Sequence, residues 1–393
     1  MDNIASQRHK IVVIVSILIF LACFRFGLIL AQHKPIWNDE AYSQSASVAR
    51  ISYFNMLLGR IGEGNNSPLF YALQKMTTQL FGYETPSDWT SHQTTDRDKI
   101  ILRIVPVLFT SLAIMLIFYY FARFHHIGVG LLALFITFST SPIWDFWAEA
   151  RPYALWIFLT TLQSVLFLWL VRKKRAETRI GTLLIATHIL LSLTCIFSLV
   201  QVAIASVLVW IFIRPAKKYF IGLTLIPILI NLFYYIQAPK YAFWFLFTPE
   251  QLIRACFSRE RFYILFVFVL FLGLHGLQKF KKYPGLLKTS DSLIREIPYL
   301  ALTVLMILSA AFIIFIFKMQ ESPPNVGFIV SNRYFLYLTP PGIIGTTLLS
   351  TSLIQSLQNK YVKIICILPI AYLLMTRFFK TLADVKDLYP FLF

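Results

Sequence analysis

Long apolar runs recur along almost the whole chain and are separated by short polar segments. A helix needs about 20 mostly apolar residues to cross the hydrocarbon core of a bilayer. Only 14% of the residues are charged, well below the roughly one quarter that is typical of soluble proteins. The sequence therefore predicts an all-α polytopic membrane protein, with residues 1–393 forming a single integral-membrane unit and no separate soluble domain.

The apolar runs predict about eleven transmembrane helices when each is given the length of a span. The fifth and sixth are short and must be separated by a turn at Cys195–Ile196. The predicted spans lie near residues 11–31, 100–121, 128–144, 153–171, 180–194, 197–213, 219–237, 262–278, 298–317, 334–353 and 363–379.

The distribution of charged residues orients these spans. With the amino terminus on the inner side, the inner segments are strongly basic, whereas the outer segments carry nearly as many acids as bases. Basic loops favour the inner side of a membrane. Topology thus explains the net charge of +18, and because no long basic segment is present we expect no nucleic-acid partner.

The first outer loop, residues 32–99, is long and polar but contains no run able to span. Within it, Val48, Ile51, Phe54 and Leu58 recur at helical period and form one apolar stripe. This pattern predicts an interfacial helix that lies along the membrane surface.

Two adjacent carboxylates, Asp39 and Glu40, follow directly on the first span. Acidic groups at a membrane boundary carry a solvation cost, so this pair is a candidate for chemistry. The alternative is that Asp39 only caps the interfacial helix. A capping box would place Glu or Gln three residues later, where Tyr42 stands instead.

The second outer loop, S-P-I-W-D-F-W-A-E-A-R-P-Y-A-L at 141–155, brings Glu149 and Arg151 to the same side. The planar guanidinium group makes charge-assisted contacts with phosphate, which makes Arg151 a candidate phosphate ligand. The alternative is that Glu149 and Arg151 pair with each other. A late outer loop adds Arg333, which could equally be an anchor at the entrance of a span.

Several nucleotide and metal motifs are absent from the sequence. The chain has no phosphate-cradling G-x-x-x-x-G-K-[ST], no H-E-x-x-H and no Gly-rich dinucleotide turn. If the protein is an enzyme, we therefore expect its activated substrate to arrive within the membrane.

Four segments together resemble a known pattern: the acid pair at 39–40, S-P-L-F-Y at 67–71, E-A-R-P-Y-A-L at 149–155 and R-Y-F-L-Y-L-T-P-P at 333–341. In order and spacing the chain resembles the GT-C class of membrane glycosyltransferases, in the branch of the protein O-mannosyltransferases and the lipid A aminoarabinose transferases.

The resemblance implies a sugar donor carried on a polyprenyl phosphate, a lipid, glycan or protein acceptor, and inversion at the anomeric carbon. It implies that Asp39 is the base, that Glu40 lies beside it, and that Glu149, Arg151 and Arg333 lie at the donor phosphate. It further implies a bacterial inner (plasma) membrane location with the active site on the outer, periplasmic face. The residues expected to line the acceptor cavity are Tyr42, Asn66, Pro68, Tyr71, Tyr153 and Tyr334.

A metal ion is not determined by these motifs. A divalent ion bridging Glu40 or Glu149 to a phosphate is compatible with them, although a carboxylate pair alone does not establish one. Where relatives show an acidic residue or histidine before a Pro-Pro pair, this chain has Asn65, Asn66 and a single Pro68, so no metal role carries over there.

Two other functional classes stay open. A flippase or transporter for lipid-linked sugars also places charges at its mouth, but transporters more often have ionisable groups at broken helices in two similar halves. A glycan polymerase or ligase would be expected to have its key residues in a large late outer loop.

Overall fold

The computed structural model describes residues 2–62, 67–86, 89, 94–173, 178–213, 219, 221–237, 269, 297–309, 332–357 and 359–392. The α-helices in these ranges are α1 (Asp2–His33), α2 (Asn38–Tyr42), α3 (Tyr53–Leu57), α4 (Leu69–Leu80), α5 (Asp96–Phe124), α6 (Ile127–Phe138), α7 (Ser141–Trp147), α8 (Tyr153–Lys173), α9 (Thr178–Ser192), α10 (Ser198–Ile213), α11 (Ile226–Gln237), α12 (Ile297–Ser309), α13 (Thr339–Ser356) and α14 (Lys360–Leu388). Short π-helical and 3₁₀ segments lie at Ser43–Ala49, Ile221–Leu225, Asn332–Leu338 and Pro390–Leu392.

Four of these helices, α1, α5, α8 and α14, are long and apolar enough to cross a membrane. A fifth crossing is formed if α6 and α7, which meet at a bend of 70°, are taken together as one broken span. The chain is thus a helical membrane protein, as the sequence predicts. The count of eleven spans stays a prediction.

The core of the bundle is an antiparallel pair formed by α1 and α5. At one end, the side chain of Gln32 donates to the Asp96 carboxylate at 2.9 Å. At the other end, the guanidinium of Arg8 donates to the carbonyl of His125 at 2.6 Å. Arg172, in the last turn of α8, also contacts the His125 ring. Helix α8 therefore begins where α1 ends and finishes where α1 begins.

We call the first of these regions the loop end of the bundle, defined by Gln32 and Asp96. The opposite region, defined by Arg8, His125 and Arg172, is the basic end.

A glycine in α1 allows α7 to approach closely. A Cβ atom built on Gly27 would lie 2.6 Å from Nε1 of Trp147 and 2.7 Å from a methyl carbon of Val107. Trp147 is buried there, and its ring lies 5.7 Å from the Phe26 ring in an edge-on arrangement. Gly27 is thus the contact point at which α1, α5 and α7 pack together.

The span predicted at 128–144 is interrupted in the structure, because α6 ends at Phe138. Pro142 has no amide hydrogen with which to continue the helical hydrogen bonds. The carbonyl of Phe138 instead accepts from the indole nitrogen of Trp144 at 2.7 Å. Trp144 thus caps α6 at the bend.

The single interfacial helix predicted from Val48 onward is also wrong in extent. The chain forms a π-helical segment up to Ala49, breaks, and resumes as α3 at Tyr53. Ser52 at the break has an extended backbone, and its hydroxyl accepts from the amide of Asn55 at 3.2 Å. Serine at this position favours a new helix start over continuation of the old one.

The predicted turn between the fifth and sixth runs is confirmed. Helix α9 ends at Ser192 and α10 begins at Ser198, with Cys195 and Ile196 between them. The first amide of α4, from Leu69, donates to the carbonyl of Leu193 in this turn at 2.8 Å.

Candidate functional site at the loop end

The loop end of the bundle brings together the ends of α1, α5, α7, α8 and α14. Helix α1 ends there because Pro35 restricts the residue before it to an extended conformation. Helix α5 starts there with a capping box, in which Thr95 accepts from the amide of Asp98 at 3.2 Å and donates its own amide back at 3.0 Å. The α7–α8 loop and the end of α14 complete the region.

Glu40 is held in a buried ion pair with Arg103 of α5. The Arg103 Nε donates to one carboxylate oxygen at 2.9 Å and an Nη donates to the other. The same carboxylate accepts the amide of Ala150 at 2.7 Å and the amide of Trp37 at 3.3 Å. Both oxygens are therefore engaged, and Glu40 ties the α1–α2 turn to α5 and to the α7–α8 loop.

Arg103 makes further contacts that terminate α1. Its Nη1 donates to the carbonyl of Ala31 at 2.9 Å and also to the carbonyl of Lys34, and its Nη2 donates to the carbonyl of Pro35 at 2.7 Å. The last carbonyls of a helix lack intrahelical donors. All five N–H groups of the guanidinium are thereby used.

Asp39 projects differently from its neighbour because consecutive residues of a helix point about 100° apart. Its carboxylate lies 3.3 Å from the guanidinium of Arg151, and the same nitrogen donates to the Asp39 carbonyl at 3.2 Å. The Asp39 side chain is 36% exposed, whereas that of Arg151 is 8% exposed. The acid pair therefore separates into one buried structural group and one accessible group.

The α7–α8 loop orients Arg151 with the help of Tyr153. A second Arg151 nitrogen donates to the Tyr153 hydroxyl at 3.1 Å, and the guanidinium carbon lies 5.4 Å from the centre of that ring. The Asp39–Arg151 contact thus joins the α2 segment to the α7–α8 loop.

Glu149, on the same loop, lies beside a second buried cation, Lys34. The Lys34 ammonium is 3.9 Å from the Glu149 carboxylate and donates to the carbonyl of Asp145 at 3.0 Å. Its nitrogen also lies 5.9 Å from the centre of the Tyr389 ring. Burial lowers the pKa of Lys34, while Glu149 and Glu40 oppose that shift.

The end of α14 supports this arrangement. The wholly buried Tyr389 donates its hydroxyl to the carbonyl of Trp144 at 3.1 Å, and the ring of Phe391 stacks on His33 at 4.2 Å. One turn earlier in α14, Asp384 accepts from the hydroxyl of Ser141 at 3.1 Å. The carboxyl end of the described chain is thus fastened to both α1 and α7.

The remaining predicted lining residues are placed as follows. Tyr42 lies on α2, is 55% exposed and donates its hydroxyl to the carbonyl of Gly62 at 3.2 Å. Pro68 and Tyr71 are buried at the start of α4, the end of that helix that is bonded to the α9–α10 turn. Tyr153, in contrast, contacts Arg151 directly.

Three predicted site residues lie outside what the structure describes. Asn66 falls between the described residues 62 and 67, and the side chains of Arg333 and Tyr334 are likewise outside. Their roles stay predictions.

The divalent ion considered from the sequence stays a prediction. Among the described residues no group of three His, Cys, Asp or Glu side chains is arranged to hold one. Both oxygens of Glu40 are engaged by Arg103, and Glu149 lies beside the Lys34 ammonium. Three cations, Lys34, Arg103 and Arg151, therefore occupy positions next to the carboxylates that a metal would need.

Two groups of this site, Arg103 and Lys34, were not singled out from the sequence. Arg103 stands inside the run I-I-L-R-I-V-P, where an arginine is costly unless it is paired, and this cost was the available signal. Lys34 follows the first span directly, a position that is equally typical of an interfacial anchor.

A scan against protein-family models and a search of curated proteins found no match to this chain.

Proposed function

We propose that the protein is a glycosyltransferase that moves a sugar from a polyprenyl-phosphate donor to an acceptor hydroxyl at the outer face of the membrane. The observation that carries this proposal is the contact between Asp39 and Arg151, because it joins a partly accessible carboxylate to a buried guanidinium from a distant loop. A base and a phosphate-binding cation are the two groups that this reaction requires.

In the proposed reaction the Asp39 carboxylate accepts the proton of the acceptor hydroxyl. The acceptor oxygen forms a bond to the anomeric carbon as the bond from that carbon to the phosphate oxygen breaks, and the electron pair leaves with the lipid phosphate. A positioned general base typically contributes about 10²–10⁴-fold to such a step. Asp39 supports this role because its side chain is 36% exposed.

Arg151 is the proposed cation for the leaving phosphate. Preorganised positive groups in a water-poor site stabilise the charge that develops on a leaving group. The Tyr153 hydroxyl and ring hold the guanidinium in place, which supports a fixed rather than a mobile cation.

Glu40 has a positioning role in this proposal. Because its carboxylate is engaged by Arg103 and by two backbone amides, we assign it to holding the Asp39 helix against the α7–α8 loop. Asp39 is thus the one member of the acid pair that we place at the reacting atoms.

The test is release of polyprenyl phosphate from a labelled polyprenyl-phosphate sugar in membranes that contain the protein. We expect release with the wild-type chain and none with Asp39→Asn, at equal amounts of inserted protein. Near-normal turnover by that variant would remove Asp39 from the mechanism, and no release by the wild type with any sugar donor would remove the glycosyltransferase proposal.

A transporter or flippase is the second candidate, and one feature favours it. His188 of α9 is fully buried, with its ring nitrogens 3.0 Å from Gln163 Nε2 and 2.9 Å from the carbonyl of Leu223. Such a polar contact inside apolar helices is common in transport pathways. It equally fits a hydrogen-bonded core histidine. A flippase would move the labelled lipid across the bilayer without releasing polyprenyl phosphate.

A further inference from the structure

Lys34 is a buried cation whose hydrogen-bonding capacity is only partly used. Its relative exposure is 8%, yet its one hydrogen bond among the described residues is to the Asp145 carbonyl at 3.0 Å. An ammonium group has three donors. The Glu149 carboxylate, at 3.9 Å, lies beyond hydrogen-bond distance. Two N–H donors of the Lys34 ammonium thus have no hydrogen-bond acceptor among the residues that the structure describes.

The position of the ammonium is fixed by its surroundings. The Lys34 amide donates to the carbonyl of Leu30, its own carbonyl accepts from Arg103, and Pro35 follows it. At the other end of the side chain, the Tyr389 ring lies 5.9 Å from the nitrogen. A backbone held on both sides and an aromatic face at the tip give a preorganised cation.

Lys34 and Arg151 flank the same short turn. The amide of Arg151 donates to the carbonyl of Glu149 at 2.7 Å, which closes the turn tightly. Lys34 pairs with the side chain of Glu149, and Arg151 pairs with that of Asp39. Residues 149 and 151 are two apart in the chain, so their backbones lie within about 7 Å of each other and both ion pairs are attached to the same turn.

We propose that Lys34 binds the phosphate group of the lipid-linked donor, as a second cation beside Arg151. The inference rests on the proposed function for the identity of the donor. The two unused N–H groups of Lys34 supply hydrogen bonds to phosphate oxygens. Because the ammonium also lies beside Glu149, it separates that carboxylate from the phosphate and so allows two anions to occupy neighbouring positions.

The selectivity of ligand binding distinguishes a phosphate-binding role of the buried Lys34 from a purely structural one. Burial lowers the pKa of the group, so the folded protein disfavours its charge. Removing one partner of a buried ion pair destabilises a protein, so Lys34→Met should lower stability because it leaves the Glu149 carboxylate without its cation. A lysine whose loss weakens polyprenyl phosphate binding but not polyprenol binding is a ligand-binding residue.

The experiment is equilibrium binding of a radiolabelled short-chain polyprenyl phosphate, and of the matching polyprenol, to the purified full-length protein in nanodiscs of zwitterionic lipid. We expect Lys34→Met to weaken polyprenyl phosphate binding about tenfold or more, the size of one to two charge-assisted hydrogen bonds. Polyprenol binding should be unchanged, and it is measured at a temperature at which both proteins are folded, because the loss of the cation beside Glu149 should lower the melting temperature. The control is Lys99→Met, which removes a lysine that is paired with Asp96 at the same end of the bundle.

The outcomes are separable. Equal weakening of polyprenol and polyprenyl phosphate would overturn the proposal in favour of a structural role, and so would unaltered phosphate binding by Lys34→Met. Displacement of the probe by equimolar phosphatidic acid would show that the phosphate belongs to bulk lipid, and it would overturn the donor assignment. Lys34-dependent binding without sugar transfer would keep this inference and remove the proposed function. Sugar transfer that is unchanged in Lys34→Met would keep the proposed function and overturn this inference.

Discussion

The carboxylate of Glu40 and the guanidinium of Arg103 form an ion pair in which both side chains are essentially buried, with exposures of 1% and 0%. The pair joins the first turn after α1 to the second turn of α5, and it also receives the amide of Ala150 from the α7–α8 loop. One contact thus connects three segments that are far apart in the chain.

Removal of one partner of this pair should destabilise the protein strongly. We expect Glu40→Gln to lower the free energy of unfolding by about 3–5 kcal/mol, because it leaves Arg103 buried and without its full partner. Thermal unfolding in detergent is the measurement. The double variant Glu40→Leu/Arg103→Met should cost less than the sum of the single variants, since it leaves no unpaired charge. A Glu40→Gln protein as stable as wild type would contradict the structural role.

Asp39→Asn should change stability little and lower sugar transfer strongly. Its carboxylate is partly exposed, and exposed ion pairs typically contribute about 1 kcal/mol or less to stability, so we expect a small change in melting temperature. Sugar transfer should fall by at least about 10²-fold if the carboxylate is the base. Initial rates and melting curves on the same preparations measure both quantities.

Asp96→Asn is the matched control for that variant. It replaces an exposed carboxylate at the same end of the bundle, where Gln32 and Lys99 are its partners. Transfer should stay near the wild-type rate. An equal loss of transfer in Asp96→Asn would show that the effect comes from the charge of the region and not from Asp39.

Gly27→Ala tests the close approach of α1, α5 and α7. The added methyl would lie within 2.7 Å of Trp147 and Val107, so the helices must move apart. Overpacking of this kind costs about 1–3 kcal/mol. Gly181→Ala in α9 is the control, because there the nearest atom is 3.7 Å away. That variant should be neutral or should stabilise by up to about 1 kcal/mol, as alanine favours helices over glycine. Thermal unfolding should therefore give a lower melting temperature for Gly27→Ala and an unchanged or higher one for Gly181→Ala.

The basic end should make stability depend on pH in the acid range. Burial and then the charge of Arg172 lower the pKa of His125 from 6.5 to about 4. A group with a lowered pKa in the folded state stabilises that state fully above pH 6.5, and this contribution is lost as the pH falls from 6.5 towards 4. Melting temperatures across this range should fall less steeply in His125→Gln than in the wild type.

His33→Gln is the control for that measurement, because His33 is an exposed histidine at the other end of α1. It should retain the wild-type pH dependence. If His33→Gln rather than His125→Gln flattened the profile, the assignment to His125 would be wrong.

The helical membrane class could be predicted from the sequence because the length and composition of each apolar run are local properties. The turn at Cys195–Ile196 was found in the same way. The end of α6 at Phe138 was not, because it depends on Pro142 together with a Trp144 indole that reaches back to cap the helix. Apolar composition continues across the bend and hides it.

The candidate site was predictable in its parts but not in their division of labour. Asp39 and Glu40 are adjacent acidic residues that the sequence alone does not distinguish. The helical turn of α2 directs Glu40 inward to Arg103 and Asp39 towards Arg151. The contact of Lys34 with Tyr389 brings together residues near the two ends of the chain. No local pattern encodes such a pair.

The role of Arg103 has a consequence for biogenesis. Inserting an arginine within an apolar segment into lipid costs free energy, and so does placing an unpaired glutamate at the membrane boundary. Glu40 emerges from the ribosome before Arg103, so the carboxylate partner is already present when α5 is inserted. We expect the Glu40–Arg103 pair to form at that step, which fixes the turn that carries Asp39 before the α7–α8 loop with Arg151 is synthesised.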